Sequence, residues 1–255
     1  MTRIVTSAAG IPLLIYLIKF APDFVFSGVV LGSMLIALHE YFEMAGSEVT
    51  LPLRLTGFLF ALVAVLFSSY LGLAPVAVLC VALLARMNLK QAFSGSALTI
   101  LGIFYVGMLM GYLLLIRRLE GGADLLMMLF VIIWANDIFA YLFGRTFGKH
   151  KLAPVVSPKK TVEGAIAGFV FGVLGSVLYC HFFVGQLTLI QGAAAGAVVG
   201  VLGQIGDLCE SILKRAANVK DSGTILPGHG GMLDRIDSLL FGAPAMYYFY
   251  LLLHR

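Results

Sequence analysis

The chain has 255 residues, of which 60% are hydrophobic and only 12% are charged, and its mean hydropathy is +1.00. Because about a quarter of the residues in a soluble domain are charged, this composition excludes an ordinary soluble protein and indicates a polytopic membrane protein. The net charge of +4 is expected to orient the protein in the membrane and to attract anionic substrates or lipid headgroups, and it does not indicate nucleic-acid binding. The three cysteines form no CxxC or Cys/His pair, so neither a zinc site nor a disulfide framework is expected.

Residues 1–120 predict about five transmembrane helices, since a span needs about 20 mostly apolar residues. The first is an uncleaved helix that ends near Ala21, and the second covers residues 24–38 and ends in a cluster of polar residues. Residues 55–85 carry no Asp, Glu, Lys or Arg. That run is too long for one perpendicular helix, so a break divides it into two short helices. Residues 91–116 form the fifth span.

Residues 121–255 predict four further spans and two polar loops, which are expected to form the catalytic region. The fold expected for the whole chain is an all-α polytopic integral membrane protein with about nine transmembrane helices. A polar cavity that faces the cytoplasm is expected in the C-terminal half. The spans of this half lie at about 124–143, 164–206 (two helices) and 238–254, and the loops at 144–160 and 211–237.

The distribution of cations predicts the orientation. The N-terminus and the loops after the second, fourth, sixth and eighth spans share one side of this layout, and that side holds thirteen of the seventeen Lys and Arg residues. Cytoplasmic loops of membrane proteins carry such an excess. Both polar loops are therefore expected to face the cytoplasm. The short chain without a targeting extension favours the cytoplasmic (inner) membrane of a bacterium.

Glycines recur at four-residue spacing in the two spans that separate the polar loops. In lipid, a ladder of small residues lets helix backbones approach closely. These spans are therefore expected to pack against each other or against a second subunit, which would make the protein a homodimer. The ladders are Gly164, Gly168 and Gly172, and Gly192, Gly196 and Gly200.

Carboxylates near the ends of the last spans predict a metal site. Asp207, Ser211 and Lys214 fall at i, i+4 and i+7 and share one stripe of a helix if the span continues into the loop. Asp234 and Asp237 would likewise share a face. Ionisable groups in a span usually face a cavity or a partner, and converging carboxylates are oxygen ligands for a hard cation such as Mg²⁺. The alternative is that each carboxylate simply pairs with a neighbouring cation.

Two segments have the composition of phosphate-binding sites. Residues 227–231, PGHGG, form a flexible turn whose backbone amides can approach an anion closely. Residues 157–163, SPKKTVE, place two lysines just before a span. Those lysines suit either anchoring at anionic headgroups or a phosphate site. The sequence contains no GxxxxGK[ST], GxSxG or HExxH motif.

Residues 211–237, SILKRAANVKDSGTILPGHGGMLDRID, closely resemble the signature of the phosphatidate cytidylyltransferases, also called CDP-diacylglycerol synthases. Asn136-Asp137 and residues 157–164 also resemble blocks of that family, whereas residues 1–120 resemble it only in being hydrophobic helices. The resemblance implies an enzyme that makes CDP-diacylglycerol and pyrophosphate from CTP and phosphatidic acid with Mg²⁺. The lipid phosphate is then the nucleophile, so no protein nucleophile is needed.

The resemblance also implies roles for individual residues. A second cation, divalent or K⁺, is expected beside the first. The metal ligands would be Asp207, Asp234, Asp237 and Asp137. The catalytic set, which would hold phosphates or orient the groups that do, is Lys214, Arg215, Lys220, Asp221, His229 and Arg235. The substrate-binding set is Ser157, Lys159, Lys160, Ser211, Gly230 and Gly231.

Two alternatives stay open. One is a related CTP-dependent lipid enzyme, either a polyprenol or dolichol kinase or a synthase acting on an ether-linked isoprenoid lipid. The other is an ion or proton transporter, in which Asp137, Glu163, Asp207 and Glu210 form a relay through the membrane. A transporter predicts charges near the midplane of both halves, whereas the first five spans carry almost none.

Overall fold

The computed structural model of the protein describes residues 2–225 and 230–254. The described chain is a bundle of α-helices with one small β-hairpin. A π-helical turn at Ile103–Met108 joins α5 and α6 into one continuous helix. The elements are α1 (Thr2–Lys19), α2 (Asp23–Ala45), α3 (Leu51–Leu66), α4 (Ala74–Leu84), α5 (Leu89–Gly102), α6 (Leu109–Arg117), α7 (Gly122–Phe147), β1 (Lys151–Ala153), β2 (Ser157–Thr161), α8 (Val162–Phe183), α9 (Leu189–Ala216) and α10 (Leu233–Leu253).

Within the described ranges, six helical stretches are long and apolar enough to span a membrane, and three shorter apolar helices accompany them. The prediction of an all-α polytopic membrane protein is therefore confirmed. The nine stretches follow one another in the order of the nine predicted spans. They run over Gly10–Lys19, Asp23–Glu48, Leu51–Leu66, Ser69–Leu84, Leu89–Arg117, Gly122–Phe147, Val162–Phe183, Leu189–Ala216 and Leu233–Leu253.

Several helices continue past the ends that the sequence predicted. Helix α2 runs to Ala45, helix α9 runs to Ala216, and helix α10 begins at Leu233. The loop predicted over 211–237 is thus helical at both ends and is reduced to residues 217–232. Charged residues mark where the apolar run ends, but a helix can continue beyond it because its backbone hydrogen bonds are satisfied internally. Asp234 and Asp237 therefore lie on the first turns of α10.

Side-chain caps fix the starts of two helices, α8 and α9, in the second half of the bundle. Thr188 and Gln191 form a reciprocal capping box at the start of α9. Thr161 accepts a hydrogen bond from the Gly164 amide and caps α8 directly after β2. The hairpin that precedes α8 pairs Lys151 with Thr161 across antiparallel strands. The hairpin is thereby joined to the helix that follows it.

The glycine ladders bring α7, α8 and α9 together within one chain. A Cβ atom on Gly164 would lie 2.6 Å from the Ala140 carbonyl oxygen of α7. A Cβ atom on Gly196 would lie 2.7 Å from Ser176 Cβ of α8. These glycines permit helix contacts that any larger residue would prevent. The expectation that the two spans pack against each other is confirmed, while a homodimer stays a prediction that the ladders no longer support.

Contacts between loops show which loops lie at each end of the bundle. At one end, Gln91 Nε2 donates to the Ser47 carbonyl at 2.9 Å, and Arg215 Nε donates to the Val156 carbonyl at 3.2 Å. At the other end, which we call the far end, Arg117 Nε donates to Asp23 at 3.0 Å. The loops after the second, fourth, sixth and eighth spans therefore lie together, as the alternation of spans requires. The division at residue 120 stays a prediction, although Tyr112 of α6 packs on Tyr247 of α10.

Candidate active site

Three carboxylates converge where α9 and α10 cross. Ligand oxygens of Asp207, Glu210 and Asp237 all lie within 4.8 Å of one another, and we call this set the carboxylate cluster. Asp207 and Glu210 are three residues apart on α9 and so share a face. Gly206 allows the crossing, because a Cβ atom there would lie 2.7 Å from the Asp237 carbonyl oxygen.

The donor set of the carboxylate cluster fits a divalent cation. Glu210 is fully buried, and its Oε1 receives no hydrogen bond from the described residues. A buried polar atom without a partner is costly, and like charges at this spacing repel each other. A cation that prefers carboxylate oxygens would resolve both problems, and Mg²⁺ is such a cation.

The cluster contains two of the four predicted metal ligands and one residue that the sequence did not assign. Asp207 and Asp237 were predicted, whereas Glu210 entered only as a member of a hypothetical proton relay. Its position three residues after Asp207 and four before Lys214 was the available signal. That spacing places Glu210 on the same helix face as both neighbours.

Lys214 connects the cluster to Asp234. Its ammonium group pairs with Glu210 one turn earlier on α9 and with Asp234 Oδ1 at 2.6 Å. The Lys214 side chain is only 11% exposed, so this cation is held between two carboxylates in a largely desolvated site. The pairing that the sequence left open as an alternative for Asp234 is the observed contact.

Asp234 lies next to the cluster and is fully engaged by donors. Its Oδ2 accepts hydrogen bonds from the Ser222 amide at 2.9 Å, the Gly231 amide at 2.9 Å and the Ser222 hydroxyl at 3.0 Å. Together with Lys214 these donors fix the carboxylate in place. A role of Asp234 as a metal ligand stays a prediction, and it would require some of these contacts to be given up.

A cavity of about 560 Å³ opens beside the cluster, between α7, α8, α9 and the hairpin. Asp137, Lys159 and Lys160 line it together with Asp207. Lys160 Nζ pairs with Asp207 Oδ2 at 2.5 Å. Predicted metal ligands and predicted substrate-binding lysines thus line the same cavity. It lies in the C-terminal half of the chain, where the sequence predicted a polar cavity.

Asn136 and Gln204 form the floor of the cavity. Asn136 is buried, donates through Nδ2 to the Gly200 carbonyl at 2.9 Å and accepts through Oδ1 from Gln204 Nε2 at 2.9 Å. Gln204 Nε2 also lies 3.0 Å from the Ala165 carbonyl. These amides tie α7, α8 and α9 together and hold the neighbouring Asp137 at the cavity. Only the polarity of Gln204 within an uncharged run could have indicated this role.

Arg215 joins the two polar loops. Besides its bond to the Val156 carbonyl at the hairpin tip, it donates through Nη1 to the Val219 carbonyl at 2.9 Å. The guanidinium fork is suited to holding two acceptors in fixed directions. Glu163 is equally local: it binds the His150 ring at 2.6 Å and the Lys149 amide at 3.1 Å. Glu163, on the first turn of α8, thus holds the residues that precede the hairpin, and its contacts are local ones.

The other predicted site residues surround these contacts. Ser211 is buried one turn after Asp207, and Ser157 is half-buried in β2. Lys220, Asp221 and Arg235 are exposed. His229 lies outside the described residues. Of the two predicted glycines, Gly230 has a φ of +82°, in the left-handed region that favours glycine, and Gly231 is buried beside Asp234.

Comparisons with known proteins show which sequences this chain is similar to. The sequence matches the model of the family described as the cytidylyltransferase family over residues 1–253. A protein named phosphatidate cytidylyltransferase from Staphylococcus saprophyticus is 39% identical over 157 residues. Proteins of the same name from Staphylococcus haemolyticus and Staphylococcus aureus are 38% identical over 157 residues. These matches cover 62% of this chain and 60% of the length of each relative.

Proposed function

The chain belongs to the cytidylyltransferase family, and from this premise we propose that it transfers CMP from CTP to phosphatidic acid. The products are CDP-diacylglycerol, a precursor for phospholipid synthesis, and pyrophosphate. The observation that carries the proposal is that a cluster of three carboxylates lies beside a lysine-lined cavity of about 560 Å³. That volume lies within the usual range for small-molecule sites, about 300–1,000 Å³. The names of the relatives support the lipid substrate.

The reaction needs alignment and charge neutralisation more than it needs a protein nucleophile. An oxygen of the lipid phosphate attacks the α-phosphorus of CTP, the bond to the β-phosphate breaks, and pyrophosphate leaves. Both reactants are polyanions, so positioned cations lower the barrier by holding them together and by stabilising the developing charge. Lys159 and Lys160, which line the cavity, would hold phosphate oxygens.

We propose Mg²⁺ as the cofactor, held by Asp207, Glu210 and Asp237. When bound, Mg²⁺ would supply a Lewis acid that neutralises phosphate oxygens. Asp137 faces the same cavity and is the proposed ligand of a second cation, divalent or K⁺. In this scheme Lys214 compensates the charge of Glu210 within the cluster, and Asp234 holds Lys214 in position.

The phosphatidate headgroup is proposed to enter the cavity at the hairpin. Ala140, Tyr141 and Leu152 give this part of the lining an apolar character beside Arg145 and Lys151. Tyr141 and Leu152 are also exposed. Such a mixed edge suits a lipid whose phosphate must reach cations while its acyl chains stay in the bilayer.

The proposed location is the cytoplasmic membrane, with the active site facing the cytoplasm, where CTP is made. Support comes from the positive-inside bias, because the cation-rich loops lie together at the site end of the bundle. Labelling of single cysteines in the hairpin and at the far end, in intact cells with a membrane-impermeant reagent, tests this orientation. Labelling of the hairpin from outside would contradict it.

Turnover of the purified protein tests the proposed reaction. Protein in detergent is incubated with labelled CTP, Mg²⁺ and phosphatidic acid, and lipid-linked CMP and pyrophosphate are measured. We expect both products, in equal amounts and dependent on both metal and phosphatidate. Release of CDP with an added polyprenol, and no product with phosphatidate, would assign the protein to the kinase alternative. Folded protein without turnover of any lipid would contradict the enzymatic proposal altogether.

A further inference from the structure

Glu40 is a buried carboxylate in the N-terminal half that contacts the C-terminal site. It lies near the end of α2, and its relative exposure is only 3%. It faces the segment that joins α9 to α10, residues 217–232, of which 226–229 lie outside the described residues. We call this the joining segment. Nothing in the sequence around Glu40 separates it from Glu43 or Glu48, which lie in the same polar cluster.

The two oxygens of Glu40 face three donor groups from the other half of the chain. Oε1 accepts from the Met232 amide at 2.9 Å. Oε2 accepts from the Leu233 amide at 2.8 Å and lies 3.0 Å from the Ser222 hydroxyl, whose single proton it shares with Asp234. Hydrogen bonds to a charged acceptor are about twice as strong as neutral ones. Glu40 is therefore a strong attachment point for both sides of the joining segment.

Two glycines let the joining segment close around this carboxylate. A Cβ atom on Gly223 would lie 2.6 Å from Glu40 Oε1, and one on Gly231 would lie 2.5 Å from Oε2. Any side chain at either position would displace the carboxylate. The backbone at both glycines therefore approaches Glu40 more closely than a residue with a side chain could.

Glu40 also supplies the N-terminal cap of α10 from a different helix. The first amides of a helix have no partner within it, and the positive end of the helix dipole attracts an anion. Met232 occupies the N-cap position and gives no capping hydrogen bond in the described chain. The amides of Met232 and Leu233 donate to Glu40 instead.

A short chain of contacts leads from Glu40 to the carboxylate cluster. The Ser222 hydroxyl lies 3.0 Å from Glu40 Oε2 and 3.0 Å from Asp234 Oδ2, so it bridges the two carboxylates. Asp234 pairs with Lys214, and Lys214 pairs with Glu210. In addition, the helix that Glu40 caps carries Asp237 one turn later. Both routes make the geometry of the cluster depend on Glu40.

We propose that Glu40 is a positioning residue for CMP transfer: by anchoring the joining segment and the start of α10, it sets the place of Asp237 and Lys214 in the metal site. The inference rests on the proposed function, and it assigns a role in the site to the half of the chain that otherwise contributes apolar helices. Glu40 touches no reacting atom and acts through Ser222 and the backbone of α10.

The test compares Glu40→Gln with Glu43→Gln. Glutamine keeps the size of Glu40 but turns one acceptor into a donor that faces an amide or hydroxyl donor. Glu43 is the matched control, because it lies on the same helix, is exposed and pairs with Arg54 away from the site. A third variant, Ser222→Ala, removes the bridge to Asp234 and leaves the capping amides in place.

We expect Glu40→Gln to lower kcat about tenfold and to raise the half-saturating Mg²⁺ concentration about fivefold, because a misplaced ligand weakens both binding and alignment. Ser222→Ala should shift both values in the same direction by about threefold. Glu43→Gln should stay within about twofold of the wild type, as for a surface charge. A Glu40→Gln protein that loses activity only in proportion to its folded fraction, with unchanged Mg²⁺ dependence, would overturn the proposal.

Hydrogen exchange provides a readout that does not depend on turnover. In ligand-free protein, the amides of residues 231–233 should exchange faster in Glu40→Gln than in Glu43→Gln. Equal exchange in the two variants would show that Glu40 does not hold the joining segment and would overturn the inference. If the wild type transferred no CMP, the proposed function would fail, while the exchange comparison would still decide whether Glu40 holds the segment.

Discussion

The two ends of the helix bundle balance their charges in different ways. At the far end two carboxylates each have their own cation: Lys19 pairs with Asp124, and Arg117 pairs with Asp23. At the site end, Asp207, Glu210 and Asp237 lie within 4.8 Å of one another. Lys160 and Lys214 are the cations paired with them in the described ion pairs, and Lys214 is shared with Asp234.

We propose that this difference distinguishes charges that hold the fold from charges that hold a ligand. Matched pairs at the far end are complete within the chain, and partly exposed pairs of this kind contribute about 0–1 kcal/mol each. Among the described ion pairs, the cluster has more carboxylates than cations, and a bound cation would stabilise this arrangement. We propose this excess of carboxylates as the physical mark of the site.

The largest effect is expected from removing a ligand of the cluster. Asp237→Asn should lower CMP transfer about 1,000-fold, since it removes a group that holds the charge-stabilising cation. The variant should unfold at a temperature no lower than that of the wild type in metal-free buffer, because it relieves repulsion. Initial rates and thermal unfolding in detergent measure the two effects.

The matched control for this variant is Asp124→Asn at the far end, which removes an aspartate of the same charge that already has a cation. Its rate per folded molecule should equal that of the wild type. An Asp237→Asn protein with more than a tenth of the normal rate would contradict the assignment of Asp237.

The next effect concerns the cation shared by the two carboxylates. Lys214→Met should lower turnover about 100-fold and destabilise the protein by about 3–5 kcal/mol, because it leaves Glu210 and Asp234 buried without their partner. Adding Glu210→Gln should restore part of the lost stability but none of the turnover. Unfolding in denaturant and initial rates of the single and double variants decide this. Unchanged stability of Lys214→Met would show that the pair is not buried as described.

Metal binding at the site end should raise the free energy of unfolding of the protein. At Mg²⁺ concentrations about 100 times the dissociation constant, a cation bound only to the folded state stabilises it by about 2.7 kcal/mol. We expect the wild type and Asp124→Asn to gain this stability and Asp237→Asn to gain little of it. Thermal scans with Mg²⁺ and with chelator provide the measurement. An equal gain in all three proteins would place the cation elsewhere.

The smallest effect is expected at the far end. Lys19→Met breaks the pair with Asp124, whose side chains are 24% and 31% exposed. It should cost about 1 kcal/mol of stability or less, since solvent screens such pairs. The rate per folded molecule should not change. A loss of turnover beyond the loss of folded protein would mean that the far end takes part in the reaction.

The sequence predicts the helices of this protein well because the spans lie in long apolar runs bounded by charged residues. It predicts the helix ends less well, since the start of α10 at Leu233 lies within a charged stretch. The error in the predicted start of α10 matters, because Asp234 and Asp237 were placed in the loop predicted over 211–237 and are in fact helical. Position on a helix is what brings Asp237 to Asp207.

The site is only partly predictable from the sequence, because its key contacts join distant residues. Asp237 stands in the motif at residues 211–237, and Asp207 shares a predicted helix stripe with Lys214, whereas Glu210 is distinguished only by its spacing from these two residues of α9. The bond between Glu40 and Leu233 spans 193 residues, and Asn136 and Gln204 meet across 68. Local pattern cannot indicate such pairs, since only the packed helices bring them together.

The carboxylate cluster as a metal site is tested most directly by binding, without any assumption about turnover. Mn²⁺ is the probe, and its free fraction is measured by electron paramagnetic resonance as purified wild type, Asp237→Asn and Asp124→Asn are titrated. We predict saturable Mn²⁺ binding that Mg²⁺ displaces in the wild type and in Asp124→Asn, and its loss in Asp237→Asn. Equal binding by Asp237→Asn and the wild type would contradict the assignment of the metal to Asp207, Glu210 and Asp237.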